Sequence, residues 1–174
     1  MILETGGSGG PGPPVYSSRQ TFHLARMASL PTAGRLLALD WGERRIGLAL
    51  SDETQTLASP LETLIRRLGK RLPMPRLLRL VSEHRPVGLV VGLPLTPEGS
   101  ESPSTAAARE LGRVVAERTG LPLEFWDERL STARALGAIQ ETGGSTRGRR
   151  PDVDALAAAV VLQGYLDHAK GGAT

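Results

Sequence analysis

Apolar residues fall into short runs from residue 35 onward, and the first runs are too short to form helices. Leu36–Asp40 and Ile46–Leu50 are mostly apolar, which predicts two strands joined by a tight connection over residues 41–45. A third strand is predicted over Thr54–Ala58, after the polar turn at Asp52 and Glu53. The pattern therefore predicts three antiparallel strands at the start of the fold.

Beyond these strands, helical spacing of apolar residues alternates with continuous apolar runs, which are typical of buried parallel strands. The predicted elements are a helix around Leu77–Val81, a strand over Val87–Gly92, a helix from Pro103 to Gly120, a strand over Leu121–Trp126, a helix over Thr132–Glu141 and a helix over Val153–His168. This order predicts an α/β fold in which a mixed five-stranded sheet, three antiparallel strands followed by parallel strands, is flanked by helices.

The first 33 residues differ from the rest of the chain in composition. They are rich in glycine, proline and serine, as in the run from Gly6 to Pro14, and show no periodicity that could bury a core. We therefore expect a disordered extension over residues 1–33 and a single domain over residues 34–170. The extension lacks the basic and apolar regions of a signal peptide, and Met27 is an alternative start.

Composition excludes several kinds of chemistry. The chain has no cysteine, which excludes disulfides, thiolate nucleophiles and cysteine-held zinc, and its three histidines lie far apart. No apolar run is long enough to cross a bilayer. These features predict a cytoplasmic protein.

Basic residues are only slightly in excess, with a formal net charge of +3, but 19 of the 21 are arginine. Guanidinium groups suit two-pronged contact with phosphate, although a bias toward arginine codons would give the same composition. Two basic clusters stand out, at residues 66–71 and 147–150. The composition is compatible with a nucleic-acid partner and does not establish one.

Three aspartates lie where backbone geometry could bring them together. Asp40 ends the first predicted strand, Asp127 follows the last strand, and Asp154 begins the final helix. Functional groups of open α/β sheets gather outside the carboxyl ends of the strands, and Mg²⁺ prefers carboxylate oxygens. Two such ions can hydrolyse a phosphodiester without histidine or cysteine.

Each acid also has a structural interpretation. Asp40 could form a turn before Trp41 and Gly42, and Asp127 could belong to a surface ion cluster. Asp154 could favour the helix dipole in a helix capped by Asp152. Against this, the helix after Asp154 is apolar on all sides, so a carboxylate beside its core should require a partner or a metal.

Four motifs resemble one known family, the YqgF-type Holliday-junction resolvases, also described as nucleases of pre-16S ribosomal RNA. They are Leu39–Gly42 with Arg45–Ala49 and Ser51–Asp52, then Val90–Pro94, then Asp127–Thr132, and Asp154 with Ala157–Ala158. The motifs cover about residues 35–168 in the order expected of a ribonuclease H-like fold. The resemblance implies an intracellular nuclease that uses Mg²⁺ or Mn²⁺.

The resemblance also implies the site residues. The metal-binding acids map onto Asp40, Asp127 or Glu128, and Asp154, with Asp40, Asp127 and Asp154 as the catalytic acids. Adjacent strand residues point to opposite faces, so we expect only one of Asp127 and Glu128 in the site unless the strand has ended there, and we favour Asp127. Glu128 would then pair with Arg129 or assist the metal indirectly.

Phosphate contacts are expected from arginines near these acids. The candidates are Arg44 and Arg45 beside Asp40, Arg129 beside Asp127, and Arg147, Arg149 and Arg150 in the glycine-rich loop before Asp154. Glycines at 42, 47 and 92 are explained either by close approach to substrate or by tight packing.

Two other functional classes fit parts of the sequence. An actin-like or sugar-kinase ATPase also places an aspartate in a leading hairpin, but it needs a second domain for which the chain is too short. A catalytically inert nucleic-acid-binding module of the same fold is the other alternative. Within the nuclease class, a four-way DNA junction and precursor ribosomal RNA both remain candidate substrates. A homodimer would suit a two-fold symmetric junction.

Overall fold

A computed structural model describes residues 29–66, 72–131 and 153–171. Several predictions lie outside these residues: the disorder of residues 1–28 within the extension expected over residues 1–33, the helix over Thr132–Glu141, and the cap at Asp152. The arginines of the loop before Asp154 also lie outside them.

The described chain forms strands and helices in the predicted order. The elements are β1 (Leu36–Trp41), β2 (Arg45–Ser51), β3 (Ala58–Ile65), α1 (Met74–His84), β4 (Gly88–Leu93), α2 (Pro103–Thr119), β5 (Leu123–Asp127), a 3₁₀ turn (Glu128–Leu130) and α3 (Val153–Gly171). The sheet order is β3-β2-β1-β4-β5. β1, β2 and β3 pair antiparallel, whereas β4 pairs parallel with β1 and β5. The predicted mixed five-stranded sheet is confirmed.

The third strand was predicted too early in the chain. Its place over residues 52–57 is taken by a turn in which Asp52 Oδ1 accepts hydrogen bonds from the backbone N–H groups of Thr56 and Leu57, at 2.6 and 2.9 Å. Aspartate favours such turns because its side chain imitates a backbone carbonyl. β3 therefore begins at Ala58 and runs to Ile65.

Helix α2 begins and ends where the sequence predicts, at Pro103 and before Gly120, and a cap at Ser102 adds to its start. Ser102 caps its start, where the Ser102 side chain accepts from the backbone N–H of Thr105 and the Thr105 hydroxyl accepts from the backbone N–H of Ser102. Pro103 occupies the first helical position. Gly120 ends the helix with a φ of 70°, in the left-handed region that favours glycine.

Two apolar layers cover the two faces of the sheet. α1 and α2 pack on one face, over alternate residues such as Leu37, Leu39 and Val91. α3 packs on the other face, over Leu36, Ala38, Ala49, Val90 and Trp126. Alternation along each strand therefore decides which helix layer a side chain meets.

The N-terminal part of the described chain contributes to this second layer. Leu30 is 7% exposed and packs with the residues under α3. The described folded part therefore includes Leu30, which precedes the predicted domain start at residue 34. Within residues 29–66, 72–131 and 153–171, each helix is too short or too polar to span a bilayer.

Candidate active site

The carboxyl ends of β1 and β5 bring two acidic side chains together on the face covered by α3. Asp40 follows Leu36 and Ala38 at two-residue intervals along β1, and Glu128 follows Trp126 in the same way beyond β5. Between them lies Gly92 on β4, where an added Cβ would stand 2.5 Å from Glu128 Oε1. Gly92 thus leaves the space through which Glu128 reaches Asp40.

Asp40 and Glu128 form a hydrogen-bonded carboxyl pair. Burial raises the pKa of Asp40 to about 6, a hydrogen bond from Glu128 opposes that shift, and the negative charge of Asp154 adds to it. Burial also raises the pKa of Glu128 to about 7, and the Asp40 charge and the shared hydrogen bond reinforce the effect. Burial and the neighbouring charges therefore oppose full ionisation of this carboxyl pair near neutral pH. Glu128 Oε1 is buried and lacks a hydrogen-bond partner among the described residues.

Gly47 brings Asp154 to the same edge. Gly47 is the register partner of Asp40, and a Cβ at this position would collide with the backbone carbonyl of Asp154. The absence of a side chain lets the first turn of α3 lie directly on β2, beside Asp40. Close packing of this helix is thus the role of Gly47, one of the two explanations that the sequence left open.

The Asp154 carboxylate is held by an arginine on β2. Arg45 Nη1 donates to Asp154 Oδ2 at 3.3 Å, with the two side chains 60% and 34% exposed. An exposed ion pair of this kind adds at most about 1 kcal/mol to stability, so it can exchange partners readily. Asp154 is close enough to Asp40 for its charge to raise the Asp40 pKa.

The structure places Asp127, the acid favoured from the sequence, on the opposite face of the sheet from Asp40 and Glu128. Asp127 continues the face of Phe125, which packs on the α2 side of the sheet. Its carboxylate is bound by the Arg129 guanidinium through Nε, 3.0 Å from Oδ1, and Nη2, 2.6 Å from Oδ2. This ion pair, together with a backbone N–H bond from Arg129, holds the pKa of Asp127 below its usual range. The expected pairing of Glu128 with Arg129 is wrong, because Asp127 is the partner.

The predicted phosphate-binding arginines differ in their surroundings. Arg44 is exposed in the β1–β2 connection, and Arg45 lies at the acidic edge against Asp154. Arg129 is engaged by Asp127 and also donates to the carbonyl of Pro97 at 3.1 Å. Arg147, Arg149 and Arg150 lie outside the described residues, and their role stays a prediction.

The carboxylate groups described at this edge of the sheet are suitable ligands for a divalent cation, although they do not form a complete metal site. Among the described residues, no three acidic, histidine or cysteine side chains are grouped as a complete metal site. The pair of Asp40 and Glu128 nevertheless supplies carboxylate oxygens, one of them buried without a partner, and Mg²⁺ and Mn²⁺ prefer oxygen ligands. Magnesium usually takes one or two protein carboxylates and completes its shell with water and phosphate. The residues present therefore fit such an ion, with Asp154 adjacent.

Residues 34–168 match a protein family described as RuvX, Holliday junction resolvase. The chain belongs to this family. A relative from Rhodobacter capsulatus named "Putative pre-16S rRNA nuclease" is 43% identical over 140 residues, which are 80% of this chain and 87% of the relative. A relative of the same name from Paramagnetospirillum magneticum is 41% identical over 145 residues, covering 83% and 93% of the two chains.

Solved structures agree with the fold. Thermus thermophilus RuvC in complex with a Holliday junction substrate aligns with a TM-score of 0.55 at 15% identity, over 79% of this chain and 96% of that one. A second structure of Thermus thermophilus RuvC aligns with a TM-score of 0.51 at 19% identity, again over 79% of this chain and 96% of that one. At such identities the likeness concerns the fold alone. The predicted family and the predicted ribonuclease H-like fold are both confirmed, and the predicted enzyme class, a nuclease, is the class named for the family.

Proposed function

We propose that this protein is a divalent-metal-dependent endonuclease that hydrolyses phosphodiester bonds in structured nucleic acid. The observation that carries the proposal is the carboxyl pair of Asp40 and Glu128, packed together at the carboxyl edge of the sheet with Asp154 beside it. Three acids in this position are unfavourable for folding unless a cation or protons neutralise them.

The roles of the residues follow from their placement. Asp40 and Glu128 hold the cation, since they lie on one face and share a hydrogen bond. Asp154 lies within electrostatic reach on the helix side and completes the acidic edge. A bound Mg²⁺ or Mn²⁺ would supply activation of water and stabilisation of the leaving oxygen. Asp127 has no direct part in this assignment, because Arg129 occupies its carboxylate.

Arg45 positions the substrate. Its guanidinium is 60% exposed and lies against Asp154, at the same edge as the acids. A phosphate group approaching that edge can replace Asp154 as the partner of Arg45 through charge-assisted hydrogen bonds. Arg45 thereby directs the nucleic-acid backbone toward the carboxyl pair.

Precursor 16S ribosomal RNA is the substrate that we propose first. Relatives that share 41–43% identity and nearly their whole length with this chain carry that substrate in their name. A four-way DNA junction is the second candidate, because the description of the matching family names it. Both present paired phosphate backbones, so the same acidic edge serves either. We also propose that the protein is located in the cytoplasm and forms a homodimer.

A cleavage panel tests the function. Labelled precursor RNA containing the 5′ end of 16S rRNA and a labelled four-way DNA junction are each incubated with the full chain and Mg²⁺, Mn²⁺ or a chelator. We expect metal-dependent cleavage of the RNA, which Asp40→Asn and Glu128→Gln abolish. Glu117→Gln, at an exposed position of α2, is the matched control and should cleave normally.

The other outcomes are equally informative. Cleavage of the junction alone would select the second substrate. Binding without cleavage in any metal would make the protein an inert nucleic-acid-binding module. Cleavage that survives Asp40→Asn, or that persists in chelator, would refute the proposed site.

A further inference from the structure

A clamp formed by Asp127, Arg129 and the turn over residues 96–100 lies on the opposite side of β5 from the carboxyl pair. Arg129 makes two-pronged contact with Asp127 and donates through Nη1 to the Pro97 carbonyl at 3.1 Å. Its guanidinium also lies on Gly99, where an added Cβ would come within 3.1 Å of Nη1. Gly99 has a φ of 87°, so both its backbone and the close approach favour glycine.

The turn that receives Arg129 is itself well held. The backbone N–H of Gly99 donates to the Thr96 carbonyl at 2.8 Å, and that of Thr96 donates to the Ser100 carbonyl at 3.0 Å. The Thr96 hydroxyl also accepts from the backbone N–H of Ser100 at 3.1 Å. Arg129 therefore joins the end of β5 to a constrained turn rather than to a loose loop.

The clamp encloses the backbone of Glu128. The chain leaves β5 at Asp127 and enters the 3₁₀ turn at Glu128, so the ion pair between residues 127 and 129 closes this turn while the Glu128 side chain lies on the opposite face, over Gly92. Asp127 also caps the 3₁₀ turn, because its Oδ1 accepts from the backbone N–H of Arg129 at 3.0 Å. The backbone of Glu128 is thus held from both sides while its side chain lies over Gly92.

We infer that Asp127 and Arg129 are positioning residues: together with the turn over residues 96–100 they aim Glu128 at Asp40, and neither holds the metal. This inference rests on the proposed function, since it concerns the ligand Glu128 of the proposed metal site. It assigns a role to Asp127 and Arg129, which lie beside Asp40 and Glu128 but point to the opposite face of the sheet. Groups that orient a metal ligand typically change metal affinity by roughly 10- to 100-fold when they are removed.

Mn²⁺ binding to the full chain, measured by isothermal titration calorimetry without nucleic acid, separates this inference from the alternative that Asp127 is a ligand. Were Asp127 a ligand, Arg129→Ala would free its carboxylate and remove a nearby positive charge, so Mn²⁺ would bind as tightly or more tightly. The clamp predicts the opposite: Arg129→Ala should weaken Mn²⁺ binding roughly 10- to 100-fold. Mn²⁺ affinity at or above that of the parent overturns the clamp.

Two comparisons show that the effect passes through Glu128. The Mn²⁺ affinities of Asp127→Ala and of the double variant Asp127→Ala/Arg129→Ala should equal that of Arg129→Ala, because each change removes the same clamp. In the Glu128→Gln background, Arg129→Ala should cause no further loss of Mn²⁺ affinity. An additional loss in that background would mean general loosening and would overturn the inference.

The ion pair of Arg76 and Glu62 provides a matched control. It is also two-pronged and of similar exposure, with side chains 38% and 31% exposed against 41% and 20% for Arg129 and Asp127. Arg76→Ala should leave Mn²⁺ affinity unchanged, and an equal loss would overturn a specific role for the clamp. If Arg129→Ala fails to fold, Arg129→Lys keeps the charge without the two-pronged contact and should still weaken Mn²⁺ binding. Unchanged affinity in Arg129→Lys would then overturn the clamp.

Failure of the clamp and failure of the metal site give different results. If Glu128→Gln binds Mn²⁺ as tightly as the parent, the proposed metal site is wrong, and the clamp falls with it. If Glu128→Gln binds weakly while Arg129→Ala binds normally, only the clamp is wrong.

Discussion

Replacement of Glu128 by glutamine should stabilise the metal-free protein at pH 8. The pKa of Glu128 is raised from 4.5 to about 7, chiefly by burial and then by the charge of Asp40. A carboxyl group with a higher pKa in the folded state binds more protons there, so its contribution to stability falls as the pH rises between the two values. At pH 8 the wild-type protein therefore holds an ionised Glu128 at a cost that glutamine removes.

The size of this effect follows from the pKa. One pKa unit corresponds to about 1.4 kcal/mol, so full ionisation of Glu128 costs about 3 kcal/mol at most. Glu128 is partly exposed and shares its repulsion with Asp40, which reduces the expected gain to about 1–2 kcal/mol. At pH 4.5 the folded protein carries protonated Glu128, which resembles glutamine, so the gain should nearly vanish.

Urea unfolding in chelator at pH 4.5, 6 and 8 measures this pH dependence. Asp127→Asn serves as the contrast, since the pKa of Asp127 is lowered by Arg129 and its contribution to stability is present above the usual pKa. Asp127→Asn should therefore destabilise the protein at pH 8, and the loss should shrink in acid. If Glu128→Gln lowered stability at pH 8, or changed it equally at pH 4.5 and 8, the buried repulsion with Asp40 would be absent.

The remaining predictions concern other parts of the fold. Asp154→Asn should abolish cleavage with a change in stability of less than about 1 kcal/mol by urea unfolding, and full activity would leave Asp154 only its ion pair with Arg45 and its interaction with the helix dipole. Gly47→Ala should destabilise the protein by about 1–3 kcal/mol, because the new methyl group meets backbone that cannot move freely; an unchanged unfolding midpoint would contradict the close packing of α3. A chain that begins at Met27 should keep the thermal midpoint of the full chain, whereas one that begins at residue 34 loses the burial of Leu30 and about 1.5–3 kcal/mol. Arg45→Ala should weaken nucleic-acid binding and reduce the slope of log affinity against log salt by about 1, and an unchanged slope would exclude a phosphate contact.

Local chemistry explains why several elements could be predicted closely. Pro103 at the start and Gly120 at the end set the limits of α2 without help from the rest of the protein. Asp52 shows how the same kind of reasoning failed when incomplete. The sequence predicts a turn at Asp52 but not its length, because the Asp52 side chain accepts from the backbone N–H groups of Thr56 and Leu57 and delays β3 until Ala58.

Which of Asp127 and Glu128 lies beside Asp40 could not be predicted from the sequence. Alternation along a strand shows that the two side chains oppose each other, but it does not show which of them shares the face of Asp40. That face is decided by the packing of α3 over Trp126 and by the space above Gly92, both of which depend on residues distant in the chain.

The sequence by itself determined the order of the elements, the mixed sheet, and two of the acids at its edge, Asp40 and Asp154. Apolar periodicity and capping act between near neighbours in the sequence, so they can be recognised without knowledge of the tertiary structure. The tertiary structure alone decided that Glu128 meets Asp40 and that Asp127 is bound by Arg129. Contacts of this kind arise only when separate strands and a helix pack together, because burial and charge pairing depend on distances that no local pattern records.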